Sequence, residues 1–202
     1  MGRNPKDDIR KPQILDHFRQ VINEEGLHNA SNAKVAKHMG VSTNLVAHYF
    51  ESKEVMVQEL LDHIIMEYTD FLSASANSLK TPGDHLKNTL KVMFCGGDNR
   101  QLLTEPAYYA LYNLSLINKP FNERFRKIYN NYRKEFIEGI QSAMDSGEIR
   151  QGDPGKMGEL ILSLFEGFTF LANLHEDDQF EDHGEYFFKK AWAILKEGDS
   201  DL

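Results

Sequence analysis

At 202 residues, with 41% hydrophobic and 27% charged side chains, the sequence has ample material for a packed core and is too apolar for a disordered chain. Its single cysteine, Cys95, excludes an internal disulfide and a cysteine-built zinc site. The net charge of −8, taken alone, argues against a nucleic-acid partner, but the charge is unevenly spread. Residues 1–53 hold eight Lys/Arg against six Asp/Glu, a balance of +2, which leaves −10 for the remainder. A mildly basic head on an acidic body suits a protein that meets phosphate at one end.

No segment alternates with the period of a strand, whereas helical spacing recurs along the chain. Ile14, Leu15, Phe18, Val21 and Ile22 form one face of a first helix that Gly26 ends. Ser31 is placed to cap a short second helix containing Val35, Ala36 and Met39, which Gly40 breaks. Ser42 caps a third helix running to about Tyr49, and Ser52 a long fourth with Glu54 in its first turn. Pro82 and Pro154 follow the capping residues Thr81 and Asp153 and open the fifth and eighth helices. Pro106 and Pro120 belong near the starts of the sixth and seventh, and a ninth runs from about Asp182 to Lys196. Gly96-Gly97-Asp98-Asn99 and Ser146-Gly147 read as turns. The pattern predicts an all-α fold of nine helices.

The first ten residues lack the apolar stretch of a secretory signal. The longest apolar run, Leu160 to Leu174, is broken by Glu166, Gly167, Thr169 and Asn173, so no membrane span and a cytoplasmic location are expected. No HExxH, GxSxG or P-loop spacing is present, so no catalytic residues, and no enzyme, are expected. Cofactors are expected to be none. Cys95 reads as an ordinary buried thiol in preference to a redox sensor. His175 and His183 among Glu176, Asp177, Asp178 and Asp182 read as a solvated acidic turn, and no metal site is expected.

Ser31 to Phe50, SNAKVAKHMGVSTNLVAHYF, has the parts of a helix-turn-helix. Ala36 allows two short helices to meet closely, Gly40 supplies a turn residue at ease with positive φ, and Val41 plugs the gap between them. Val46 and Phe50 anchor the second helix of the pair, leaving Thr43 and Asn44 at its exposed end for the major groove. The stretch V-A-K-H-M-G-V-S-x-x-x-V-x-H-Y-F-x-S-K-E, Val35 to Glu54, resembles the tetracycline-repressor (TetR) family of one-component regulators. LVAHYF is most similar to the choline-responsive, BetI-like branch.

The resemblance implies a three-helix DNA-binding head over residues 1–52 and a ligand-binding and dimerisation body over 53–202. It implies DNA contact by Ser42, Thr43, Asn44, Leu45, His48 and Tyr49, and phosphate contact by Lys53 at a helix start. Ala47 and Asn44 depart from common family residues, so no operator sequence carries over. Lys34 and Lys37 read as solvated surface. The body's surplus of tyrosines suggests a ligand pocket, for which Tyr108, Tyr112, Phe125, Tyr129 and Glu166 are candidates, Glu166 suiting a structural role better than that of a ligand's counter-charge. The eighth helix is apolar nearly all round and the ninth carries an aromatic stripe, so both are expected to be buried on more than one side. In the family such a pair forms a four-helix bundle with its twin, here through Leu160, Leu164, Phe168, Leu171, Phe188 and Trp192. The expected protein is a homodimeric repressor of a palindromic double-stranded DNA operator, released by a small-molecule inducer. The rival is a helical protein-interaction or lipid-binding bundle that does not bind DNA.

Overall fold

A computed structural model describes residues 5–76, 78–96, 105–174 and 180–197, with side chains placed from Arg10 onward and, in the last segment, from His183. Among the described residues there are nine α-helices and no strand. They are α1 (Pro5–Glu25), α2 (Asn32–Met39), α3 (Thr43–Tyr49), α4 (Lys53–Ala76), α5 (Pro82–Cys95), α6 (Pro106–Ile117), α7 (Lys119–Asp145), α8 (Pro154–Ala172) and α9 (Phe180–Lys196). The expected turn at Gly97–Asn99 and the acidic run from His175 to Asp178 lie outside the described residues.

The helix ends follow the local chemistry. Ser31, Ser42, Thr81 and Asp153 each accept a backbone N–H three residues on, satisfying a donor that the first turn leaves open. Ser52 Oγ does the same for Val55. Pro82, Pro106 and Pro154 occupy first-turn positions where their missing N–H costs nothing. Asn118 separates α6 from α7, and its Oδ1 accepts the Phe121 N–H at 3.0 Å.

Two compact units result, and α4 and α7 contribute to both. The first comprises Met1–Tyr68 and Glu105–Phe125. In it α1 packs on α2 and α6, and α2 on α3. Ile14, Phe18, Ile22, Val35, Val46, Phe50, Met56, Leu60 and Ile64 are fully buried. Burying such side chains stabilises the unit by about 1.5–3 kcal/mol each before chain entropy is counted.

The second unit comprises Thr69–Thr104 and Arg126–Leu202. Here α9 packs on α5 and α8 around Leu86, Leu90, Phe94, Ile140, Ile161, Phe165, Phe168 and Leu195. Phe94 meets Phe165 and Phe168 edge-on with centroids at 5.8 and 5.5 Å, a favoured aromatic geometry. At Gly184 α9 comes so close to α5 that a Cβ would overlap the Phe94 carbonyl oxygen. Glu148 binds the start of α5 to the turn after α7, accepting from Thr81 Oγ1 at 2.6 Å, Gly83 N at 3.0 Å and Ser146 Oγ at 2.8 Å. Those bonds, Thr81's foremost, hold its carboxyl below the usual range. No helix among the described residues is long and apolar enough to cross a membrane.

Candidate nucleic-acid interface

The turn between α2 and α3 depends on Gly40, whose φ of 67° and ψ of 31° lie in the left-handed region that side chains disfavour. Its N–H returns to the Ala36 and Lys37 carbonyls, and the Val41 N–H bonds Ala36 O at 2.9 Å. Ala36 is buried, and the helix that carries it packs on α3. Val46 and Phe50 are fully buried, fixing α3 by its inner face. Asn32 Nδ2 adds a bond to Phe50 O at 3.3 Å, beyond the last turn of α3.

With the inner face fixed, the outer face is defined. Ser42, Thr43, Asn44 and His48 are exposed, and Leu45 and Tyr49 are half-buried. The His48 and Tyr49 rings meet edge-on at 5.2 Å. A seven-residue helix with its polar N-terminal half free of the core has the dimensions to enter a major groove.

Lys53, expected at phosphate, is half-buried at the start of α4. Its Nζ donates to the carbonyl oxygens of Leu27 and, at 3.1 Å, His28, which lie in the link after α1. Partial burial lowers its pKa, with neighbouring Glu54 opposing the effect. The ammonium thus closes the α1–α2 link, a role not legible in the sequence because the partners are backbone atoms 25 and 26 residues away. Lys34 pairs with Glu25, and Lys37 is exposed.

A second cluster also went unread. Asp16, Arg19 and Asn23 on α1 face His63 and Glu67 on α4 and Glu105 at the start of α6. Asn23 Oδ1 accepts the Ala107 N–H at 2.8 Å while its Nδ2 donates to Glu105 at 2.6 Å, so α1 caps α6. Burial raises the Glu105 pKa against the opposing effects of Asn23 and Arg19. The available signal was spacing: Asp16 and Arg19 are three apart, His63 and Glu67 four apart, each pair sharing a helix face.

The residues considered for ligand binding fall into two sets. In the first unit Tyr108 and Tyr112 flank Phe125 with centroids at 6.1 and 5.9 Å. In the second, Tyr129 and Glu166 interact: burial first, then the Glu166 and Glu159 charges, raise the phenol pKa. Glu166 reaches solvent, yet crowding around its carboxyl removes enough water to raise its pKa. The first unit also has a cleft of about 740 Å³ lined by His28, Lys53, Val57, Leu114, Ile117 and Phe121 among others. A cleft of about 530 Å³ in the second is lined by residues including His85, Leu86, Tyr132 and Phe136. Neither is lined by the five side chains expected at ligand.

Of the side chains expected between subunits, Leu160 and Leu171 are 38% and 45% exposed, and Leu164 and Trp192 half-buried. Phe168 and Phe188 are buried in the core of the second unit. Phe170, Leu174 and Tyr186, which the sequence reading did not single out, are also exposed.

Comparison with known proteins gives matches to two family models: "Bacterial regulatory proteins, tetR family" over residues 14–60, and "Tetracyclin repressor-like, C-terminal domain" over 81–197. The HTH-type transcriptional regulator BetI of Vibrio atlanticus is 33% identical over 174 residues, covering 84% of this chain and 83% of that protein. Its counterpart in Vibrio parahaemolyticus is 32% identical over 175 residues, covering 83% and 82%. Among solved structures, a transcriptional regulator from Saccharomonospora viridis in complex with choline aligns with a TM-score of 0.79 at 16% identity, covering 93% of this chain and 96% of that one. A TetR regulator from Haloarcula marismortui aligns at 0.80, also 16% identical, covering 93% and 98%.

Proposed function

From its membership of the TetR family of DNA-binding transcription regulators, which are not enzymes, we propose that this chain is a repressor that binds a palindromic operator as a homodimer and is released by a small-molecule inducer. Family membership sets aside the rival bundle that does not bind DNA. The observation that carries the finer reading is the α3 outer face: Thr43, Asn44 and His48 stand exposed on a helix whose inner face is fully buried. Bases are read by Thr43 and Asn44, and phosphates are met by Ser42, Tyr49 and Lys53. Leu45 and His48 complete the contact surface.

Dimerisation through the exposed apolar side of α8, with Leu160 and Leu171 at its centre and α9 beside it, removes that face from water. Two-fold symmetry then sets two α3 helices against half-sites separated by whole turns of DNA. The inducer acts by binding one conformational state more tightly than the other, shifting the population away from DNA. The aromatic group of Tyr108, Tyr112 and Phe125 supports a ligand with a cationic or apolar face, and Tyr129 with Glu166 offers a separate acidic contact. Choline, bound in the Saccharomonospora viridis regulator, is the first compound to test.

Selection of sheared genomic DNA on the purified protein at about physiological salt, where non-specific binding is weak, recovers a palindrome if the reading is right. Thr43→Ala and Asn44→Ala then change the preferred half-site. A sequence profile identical in wild type and both variants rejects α3 as the reader.

A further inference from the structure

We propose that Asp16, His63 and Glu67 form a site for a first-row divalent cation of the zinc or manganese type, joining α1 to α4. This departs from the sequence reading, which expected no metal, and is independent of the repressor proposal. Among the described residues these are the one set of three His, Cys, Asp or Glu side chains whose donor atoms all lie within 4.8 Å of one another.

The distances suit an ion. His63 Nε2 is 2.9 Å from Asp16 Oδ1 and 3.3 Å from Glu67 Oε1. Ligand bonds of about 2.0–2.2 Å in tetrahedral geometry put donor atoms roughly 3.3–3.6 Å apart, so small side-chain shifts admit a metal at the centre. His63 and Glu67 stand four residues apart on α4 and present both donors on one face.

The surroundings are organised as metal ligands require. Arg19 Nη1 donates to Glu67 Oε2 at 2.5 Å, orienting that carboxylate while Oε1 faces His63. Outer hydrogen bonds of this kind fix ligand orientation in metal sites. The His63 side chain is only 7% exposed, whereas Asp16 is 40% exposed and leaves a path for entry from solvent.

Charge supplies a separate argument. Asp16, Glu67 and Glu105 are three carboxylates arranged around one guanidinium, Arg19. A divalent cation held by Asp16, His63 and Glu67 would add positive charge beside carboxylates that share this single arginine. Glu105 Oε1 is buried without a hydrogen bond, and Arg19 Nε stands 3.6 Å from it. One imidazole nitrogen with two carboxylate oxygens, and no thiolate, selects zinc or manganese over softer ions, with zinc bound more tightly.

The test uses the full chain, stripped with chelator and titrated with Zn²⁺ or Mn²⁺ by calorimetry, with Co²⁺ as a spectroscopic probe. One equivalent per chain is expected, together with tetrahedral Co²⁺ absorption and a metal-dependent rise in Tm. Asp16→Asn and Glu67→Gln should each weaken binding by more than about 100-fold, since even outer partners contribute 10–100-fold. Metal-free melting curves establish that both variants fold. His38→Ala serves as the control, because His38 and His17 form a separate imidazole pair with Nδ1 atoms 2.8 Å apart, and it should bind as wild type does. No saturable binding by the wild type, or binding unchanged in both carboxamide variants, overturns the proposal and leaves the cluster an ion-pair network.

Discussion

Lys53→Met separates two roles that one ammonium group performs. The substitution keeps the aliphatic stem but removes the charge that closes the link after α1 through the Leu27 and His28 carbonyls. Hydrogen bonds from charged groups contribute about 1.5–3 kcal/mol when well buried. Lys53 is only half-buried, so a loss of about 1 kcal/mol is expected, or roughly 2–4 °C in Tm for a chain of this size. If the same ammonium also meets a phosphate, its loss lowers the slope of log affinity against log salt by about 0.9 per contact, hence about 2 for a dimer on its operator. Urea unfolding measures the first effect, and fluorescence-anisotropy titrations of the recovered operator at several salt concentrations measure the second. A destabilised head lowers affinity without changing the slope, so the two effects stay distinguishable. A variant with lower stability but an unaltered slope refutes phosphate contact, and one with unaltered stability refutes the structural role.

Three further outcomes test the remaining geometry. Gly184→Ala places a methyl group against the Phe94 carbonyl and should lower stability by about 1–3 kcal/mol, read by urea unfolding; an unchanged midpoint would show that α5 and α9 are less closely apposed. Glu148→Gln should lower Tm at pH 7, because the native carboxyl has a pKa below its ordinary 4.5; the stabilisation is fully present above that value and is lost as pH falls through the depressed native one. Melting curves of variant and wild type should therefore converge in acid, and a constant separation would contradict the assignment. Leu160→Glu combined with Leu171→Glu should yield monomers in sedimentation without loss of helical circular dichroism, whereas an intact dimer would move the interface elsewhere.

What the sequence made legible was local. Ser31, Ser42, Ser52, Thr81 and Asp153 could be recognised as caps, and Gly40 as a left-handed turn, because the deciding interaction spans three or four residues. Proline after a capping residue fixed the starts of α5 and α8 for the same reason. The interactions that stayed hidden join distant segments. Asp16 meets His63 across 47 residues, Asn23 meets Glu105 across 82, and Lys53 binds carbonyl oxygens that carry no side-chain signature. At Gly184 the demand for glycine comes from the backbone of α5, a distant segment that no local pattern reveals. At α3 the exposed residues followed from which ones the motif buries, so the face proposed to read DNA could be identified once the turn was placed.

The polar contacts of α1 give a physical reason for the arrangement of the first unit. Apolar packing alone would hold α1 against α4 and α6 with less expense, since placing Asp16, Arg19, Glu67 and Glu105 together incurs desolvation that their mutual attraction only partly offsets. Hydrophobic contacts, however, tolerate sliding, whereas a carboxylate held by a planar guanidinium and an amide held by both Glu105 and the Ala107 N–H permit few registers. The α6 helix that Asn23 caps carries Tyr108 and Tyr112, and the α1 helix carrying Asn23 packs on the helix-turn-helix. A shift of α6 by a fraction of a hydrogen-bond length therefore has to move α1 or break the Asn23 bonds. A unit held by directional contacts changes between discrete positions instead of yielding gradually, and the proposed release by an inducer calls for such a change.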